Sequence, residues 1–306
     1  MGTNCACIRQ KADDTEILSM EDSHFKDRSI MIKEKDENDL DLILPSPSTL
    51  GIIAENRLGR FYFRQSDLKY LGDQVISNEG WKYFGEKDES GFKSGRGVFI
   101  WKDGTKYIGN FKNNRANGFG RLVHISGDIY EGNWVDDKAQ GQGKYYHYDG
   151  STYSGEWQED RQEGFGIETW NDGAVFKGTF KNGIKSGYGE FQWADGSSYK
   201  GEFLNDDIHG QGIYVWSDKR MFEGQWKNNR MHGMGQYTWP DGKVYVGHYV
   251  NDEKQGPGEM TFPDGKVIKG TWVKGKIEGF GEVSGSDGQV EKGLWKDGKK
   301  VQTVEG

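Results

Sequence analysis

An aromatic-x-Gly-x-aromatic pattern returns every 23 residues from Tyr107 onward. Its copies are Tyr107-Gly109-Phe111, Tyr130-Gly132-Trp134, Tyr153-Gly155-Trp157, Phe176-Gly178-Phe180, Tyr199-Gly201-Phe203, Phe222-Gly224-Trp226, Tyr245-Gly247-Tyr249 and Ile268-Gly270-Trp272. Strict alternation predicts a strand with the rings and the glycine on one side. The residues between them, such as Glu131 and Asn133 or Lys200 and Glu202, face the other way. Tyr83-Phe84-Gly85 opens an earlier, degenerate copy, and Gly293-Leu294-Trp295 is a final half-unit.

A Gly-x-Gly pair follows in each unit, from Gly95/Gly97 and Gly118/Gly120 to Gly279/Gly281. Two and four residues beyond it the chain is apolar again: Phe99 and Trp101, Phe191 and Trp193, Tyr214 and Trp216, Tyr237 and Trp239. Most units then close on Asp-Gly, as at Asp103-Gly104, Asp149-Gly150 and Asp241-Gly242. Asp-Gly between alternating segments predicts a tight hairpin turn whose two central residues both take positive φ. Asp218-Lys219 lacks the glycine and predicts a longer turn or one of another type.

Together the units predict an all-β fold: an elongated, twisted, single-layer antiparallel sheet of about nine 23-residue β-hairpin repeats. One face is a layer of rings over glycines, the other is polar. At ~4.8 Å per strand such an array would be on the order of 80 Å long. A lone hairpin is marginal, so stability must come from contacts between neighbours.

The units resemble the MORN repeat (membrane occupation and recognition nexus), which reads Tyr-x-Gly-x-Trp, a polar loop, Gly-x-Gly and Asp-Gly. The resemblance covers residues 80–298. It implies a grooved antiparallel sheet used as a tether or scaffold at membranes, in cilia or in the cytoskeleton, gripping a partner's helix or strand. Phosphoinositide binding is also proposed for the family.

Composition narrows the function. Glycine is 47 of 306 residues, about twice the usual share of roughly 7%, and aromatics reach 14%. Net charge is −8 with no basic segment, which gives nucleic acid no electrostatic footprint and argues against strong binding of the repeats to anionic lipid. No apolar run approaches a membrane span, and no signal-peptide core opens the chain.

The first residues carry a different signal. Gly2, Cys5 and Cys7 in Met1-Gly2-Thr3-Asn4-Cys5-Ala6-Cys7 read as N-myristoylation with palmitoylation, although Ala6 stands where Ser or Thr is preferred. A myristoyl chain alone binds membranes marginally, so the cysteines would supply the second anchor. Residues 1–49 read as a disordered tail that contains the apolar cluster 40–44 and, at Ser46 before Pro47, a candidate phosphorylation site. Residues 50–79 are expected to cap the open edge of the sheet, 80–298 to form the repeat array, and 299–306 to be a C-terminal tail.

Catalytic, cofactor and metal sites are not expected. Gly-x-Gly recurs inside hairpins, without the strand-to-helix setting of a dinucleotide fingerprint. His209 and His232 share a repeat position filled elsewhere by Asn117, Gln140 and Glu163, the mark of a polar ladder. A binding groove is the best candidate, lined by Trp170, Trp193, Trp216 and Trp239 together with Tyr153, Tyr199 and Tyr245, and filled by a partner's helix or extended segment. The expected function is thus a non-catalytic scaffold held at the cytoplasmic face of a membrane, in a cilium or at the cell cortex. The alternatives are a structural subunit of a ciliary or cytoskeletal assembly and a phospholipid-binding module. Open sheet ends would also allow copies of the chain to pair.

Overall fold

The computed structural model describes residues 48–59, 61 and 74–304. Gly2, Cys5, Cys7, Ser46 and the 40–44 cluster lie outside them. One helix, α1 (Thr49–Leu58), precedes 21 strands, β1 (Gln74–Ile76) to β21 (Lys299–Val304), which belong to one open antiparallel sheet. The fold class is the one the repeats imply. Two compact units divide the described chain: one holds α1 and the hairpins up to residue 173 with 179–183, the other holds 174–178 and 184–304.

Both units use the same local rules. In β4 (Lys106–Lys112) and β5 (Arg115–Val123), Gly109 stands opposite Gly120. Tyr107's ring lies on that pair and donates its hydroxyl to Asn110's carbonyl at 3.0 Å. A Cβ added at Gly109 would meet Gly120's Cα at 2.5 Å, so the paired glycines are a steric requirement. The first glycine of each Gly-x-Gly serves another purpose. Gly118, Gly141 and Gly164 have positive φ, beside register shifts that mark a bulge.

The turns reverse the sequence expectation. Both-positive φ pairs occur at the other end of each hairpin, as at Asn113/Asn114, Asp136/Asp137 and Asn228/Asn229. These are two-residue loops, where Asn and Asp tolerate the left-handed region best. At Asp-Gly only the glycine is left-handed. Gly104's amide donates to Trp101's carbonyl and Trp101's amide to Thr105's carbonyl, a three-residue loop that ends in an αL residue. Asp218-Lys219 makes the same turn, not a longer one. Lys219 donates to Trp216's carbonyl at 2.9 Å and sits at φ 69°, where a glycine would be unstrained.

Neighbouring hairpins are tied by a reciprocal contact. Asp137's amide donates to Ala116's carbonyl at 3.0 Å, and Ala116's amide returns a bond to Asp137's carboxylate at 2.6 Å. Asp160 and Ala139 repeat this in the same unit, and Asp252 and Met231 in the other. The turn residue of one hairpin therefore closes the hairpin before it.

The helix does not cap the sheet edge. It starts at Ser48, whose hydroxyl accepts Gly51's amide at 2.9 Å, and ends at Gly59, φ 78°. It lies on the face opposite the rings, where Ala54 packs on Val123 and Ile129 with Leu58 and Tyr146. Phe61 packs beside it on Val98, Ile100 and Ile108. That face is therefore apolar in the first hairpins, not polar as expected. Lys106, with a fully buried side chain, pairs with Glu55, and Arg121 binds Glu131's carboxylate at 2.5 Å and Gly59's carbonyl at 2.6 Å. Beyond the helix, the same face carries exposed pairs such as Lys200 with Glu190 and Lys269 with Glu259. Within residues 50–79 it is β1 that lies on the edge, pairing with β2 (Lys82–Lys87). One boundary differs from expectation: residues 299–304 form β21 on β20 (Val290–Lys296) instead of a tail.

Candidate functional site

The ring face has a buried level and a surface level. Tyr153, Tyr199 and Tyr245 are 1%, 1% and 0% exposed, because each lies flat on its glycine pair with second-aromatic rings edge-on against it, as Phe203 and Trp226 are against Tyr199 at 5.2 and 5.8 Å. They cannot line a groove, and instead set the height of the rings above them. Burial raises the Tyr153 and Tyr199 hydroxyl pKa values well above the ordinary range and that of Tyr245 to about 12.

The surface level is built by the second strands. In the C-terminal unit, Phe191 and Trp193 stack at 4.4 Å, and Trp193 continues to Tyr214 at 5.1 Å. Tyr214 meets Trp216 at 4.6 Å, Trp216 meets Tyr237 at 5.3 Å, and Tyr237 meets Trp239 at 4.5 Å. Six rings thus form a continuous ladder across successive hairpins, with Trp193, Trp216 and Trp239 half-buried. Alternation puts these rings on one face, and the pairing of each hairpin with the next brings them into register. In the N-terminal unit Trp170 is half-buried at the same repeat position. Two earlier hairpins there have histidine instead: His147 lies 4.3 Å from Tyr145, and His124's Nδ1 hydrogen-bonds Ser126's hydroxyl at 2.8 Å.

Cations border the C-terminal ladder. The guanidinium of Arg220 lies 5.5 Å from Trp216's ring centre, and the ammonium groups of Lys243 and Lys254 lie 4.7 and 4.8 Å from Trp239's. Lys254 is also 4.6 Å from Tyr245's ring. Its pKa is pulled down to about 8, first by burial and then by Lys243's charge. Lys266 lies 5.7 Å from Phe262's ring. These cations were missed in the sequence because their average is acidic. The available signal was positional: Arg220, Lys243 and Lys266 recur 23 residues apart.

Among the described residues no cluster of three or more His, Cys, Asp or Glu could hold a metal. No described helix is long and apolar enough to cross a membrane. What this arrangement can do chemically is hold an apolar segment against rings while cations fix its charged groups.

No curated protein matches the chain. Among solved structures it is similar to the TCP10 domain of Danio rerio CPAP in complex with a peptide of Danio rerio STIL, at 14% identity and TM-score 0.41, covering 76% of this chain and 99% of that one. It is also similar to the SAS-4 (dCPAP) TCP domain of Drosophila melanogaster in complex with a proline-rich motif of Ana2, at 14% identity and TM-score 0.32, covering 63% and 99%. The MORN repeat model matches nine consecutive stretches: 89–106, 107–129, 130–152, 153–175, 176–198, 199–219, 222–244, 245–267 and 269–290. With most of its length in those nine matches, each set on the glycine-and-ring register described above, the chain belongs to the MORN repeat family.

Proposed function

We propose that this chain is a non-catalytic scaffold that holds a protein segment along its ring ladder and is itself held at a membrane through acylation of Gly2, Cys5 and Cys7. The ladder from Phe191 to Trp239 carries the reading. Of the six rings in contact, Phe191, Tyr214 and Tyr237 are buried, and the half-buried Trp193, Trp216 and Trp239 form on them an apolar strip that a scaffold can use. Tyr and Trp supply large contact area at small entropic cost, which is why they dominate binding hot spots. The Met1-Gly2 start with Cys5 and Cys7 supports the membrane half of the reading.

Fractionation of cells expressing the full chain or its Gly2→Ala variant tests the tether. Movement of the variant alone from the membrane pellet to the supernatant supports acylation; equal distribution of the two removes it. For the scaffold, Trp193→His, Trp216→His and Trp239→His are combined, since His124 and His147 already occupy that repeat position. Loss of peptide binding by this triple variant supports the ladder as the binding strip, and unchanged binding overturns it.

A further inference from the structure

We infer that the segment held on the C-terminal ladder is acidic, with carboxylates spaced to meet a row of cations beside the rings. This rests on the ladder reading above and names its partner class. Arg220, Lys243 and Lys266 occupy one repeat position, the residue after the αL turn, where the preceding hairpins have Thr105, Asp128, Ser151, Ala174 and Ser197. Each cation lies against a ring of its own hairpin: Trp216, Trp239 and Phe262. Equivalent positions are two strands apart, so the row has a repeat of about 10 Å.

The fold engages these charges only in part, Arg220 most of all, since its guanidinium also donates to Tyr237's hydroxyl at 3.2 Å. Asp218 binds Arg220's guanidinium at 2.7 Å, and Asp241 reaches Lys243 only at 3.6 Å. Both aspartates also accept backbone amides of their turns, from Arg220 at 3.2 Å and Lys243 at 3.0 Å. Asp264 accepts Lys266's amide at 3.0 Å, and Lys266 itself makes no ion pair among the described residues; Glu291, which it influences, pairs with Lys300. Lys254 adds a fourth cation between Trp239 and Tyr245, again with no ion pair among the described residues. A desolvated ammonium without a carboxylate is costly unless a partner supplies one.

The spacing restricts the partner further. Carboxylates about 10 Å apart on one side recur every seven residues of an α-helix (~10.5 Å) or every three of a polyproline II segment (~9.3 Å). An anionic membrane is a poorer fit. The chain's net charge of −8 opposes approach to a charged surface, whereas a narrow segment meets the cations alone.

Selection of phage-displayed random peptides on the full chain tests this, in parallel with an Arg220→Ser/Lys243→Ser/Lys266→Ser variant. Serine already stands at this position as Ser151 and Ser197. The wild type should select peptides combining apolar residues with Asp or Glu at one of the two spacings. Synthetic copies of them should bind the serine variant about tenfold more weakly. Neutral or basic selected peptides, or equal binding by the variant, would overturn the acidic class while leaving the ladder reading intact, provided the Trp→His triple variant loses them. If the wild type selects nothing that the Trp→His variant loses, both readings fall. Sedimentation with phosphatidylserine vesicles that the serine variant abolishes would assign the cations to lipid and overturn the proposal.

Discussion

Tyr199 lies so close to Gly212 that a Cβ built on the glycine would stand 2.2 Å from the phenol oxygen. Gly212 does not have the left-handed φ of Gly210, so the restriction is one of space alone. Gly212→Ala must push Tyr199, 1% exposed, off its seat and with it the Phe203 and Trp226 edges. The expected loss is about 2 kcal/mol, read as a lower urea midpoint. Gly256→Ala offers a contrast: its Cβ would meet nothing nearer than 4.0 Å but its φ is 78°, so its cost is backbone strain of about 1 kcal/mol.

Lys219 is held at φ 69° in a turn that uses glycine in most other repeats. Lys219→Gly relieves the left-handed strain and should stabilise the protein by about 1 kcal/mol. Urea unfolding of the single variant checks it; destabilisation would mean that the lysine side chain matters more than its backbone angle.

Glu55 is the carboxylate of the buried Lys106 ammonium. Burial pulls the Lys106 pKa down while Glu55 opposes that shift. Glu55→Ala leaves the charge uncompensated at a cost of about 3–5 kcal/mol. That exceeds what Ala54 and Leu58 alone hold, so α1 should detach locally, seen as hydrogen exchange in residues 49–58 with the strands still protected. Adding Lys106→Met should restore protection, because the unpaired charge is then gone. Exchange that stays fast in the double variant would show that the pair holds the helix for another reason.

Lys254 should behave as an unusually reactive amine. With its pKa near 8 instead of 10.5, its neutral fraction at pH 8 is on the order of a hundredfold above that of an ordinary lysine. Carbamylation by cyanate, followed by peptide mass spectrometry, should mark it ahead of exposed lysines such as Lys200. The stability sign follows from the same shift. Between pH 8 and 10.5 the unfolded chain keeps a proton that the folded chain has released, so this group makes stability rise with pH across that window. Below pH 8 its penalty is constant, and Lys254→Met should remove the rise.

The period, the paired glycines and the ring face were legible because each is a backbone or packing demand repeated nine times, which averages out local exceptions. The location of the tight turn was not. Asp103-Gly104 and Asn113-Asn114 both look like turns, and the difference lies in loop length, which the strand pairing decides. Tyr153, Tyr199 and Tyr245 share the ring face with Trp193, Trp216 and Trp239, but alternation gives the side of a sheet and not the depth. Only the flat seating on glycine shows that the tyrosines are buried. The helix was missed as a helix because Ile52 and Ile53 are exposed and its contact rests on Ala54 and Leu58, too short a stripe to mark a period. The cations beside the ladder escaped notice because net charge sums over the whole chain and hides a row of three residues spaced 23 apart.

The bond between Asp137 and Ala116 has a bearing on how such a chain changes over time. Asp160 offers Ala139 what Asp137 offers Ala116, so the junction between hairpins is the same interface made again. Excising residues 117–139 would bring Ala116 to the place of Ala139, and Asp160 would find a backbone amide waiting there. Whole modules can therefore be gained or lost by unequal duplication of their coding segments without inventing a new contact. Partial ones cannot, since a cut that is not a multiple of 23 residues takes the rings and the paired glycines out of register. Reach becomes a heritable quantity that varies in steps, and selection can count hairpins much as one counts the links of a chain.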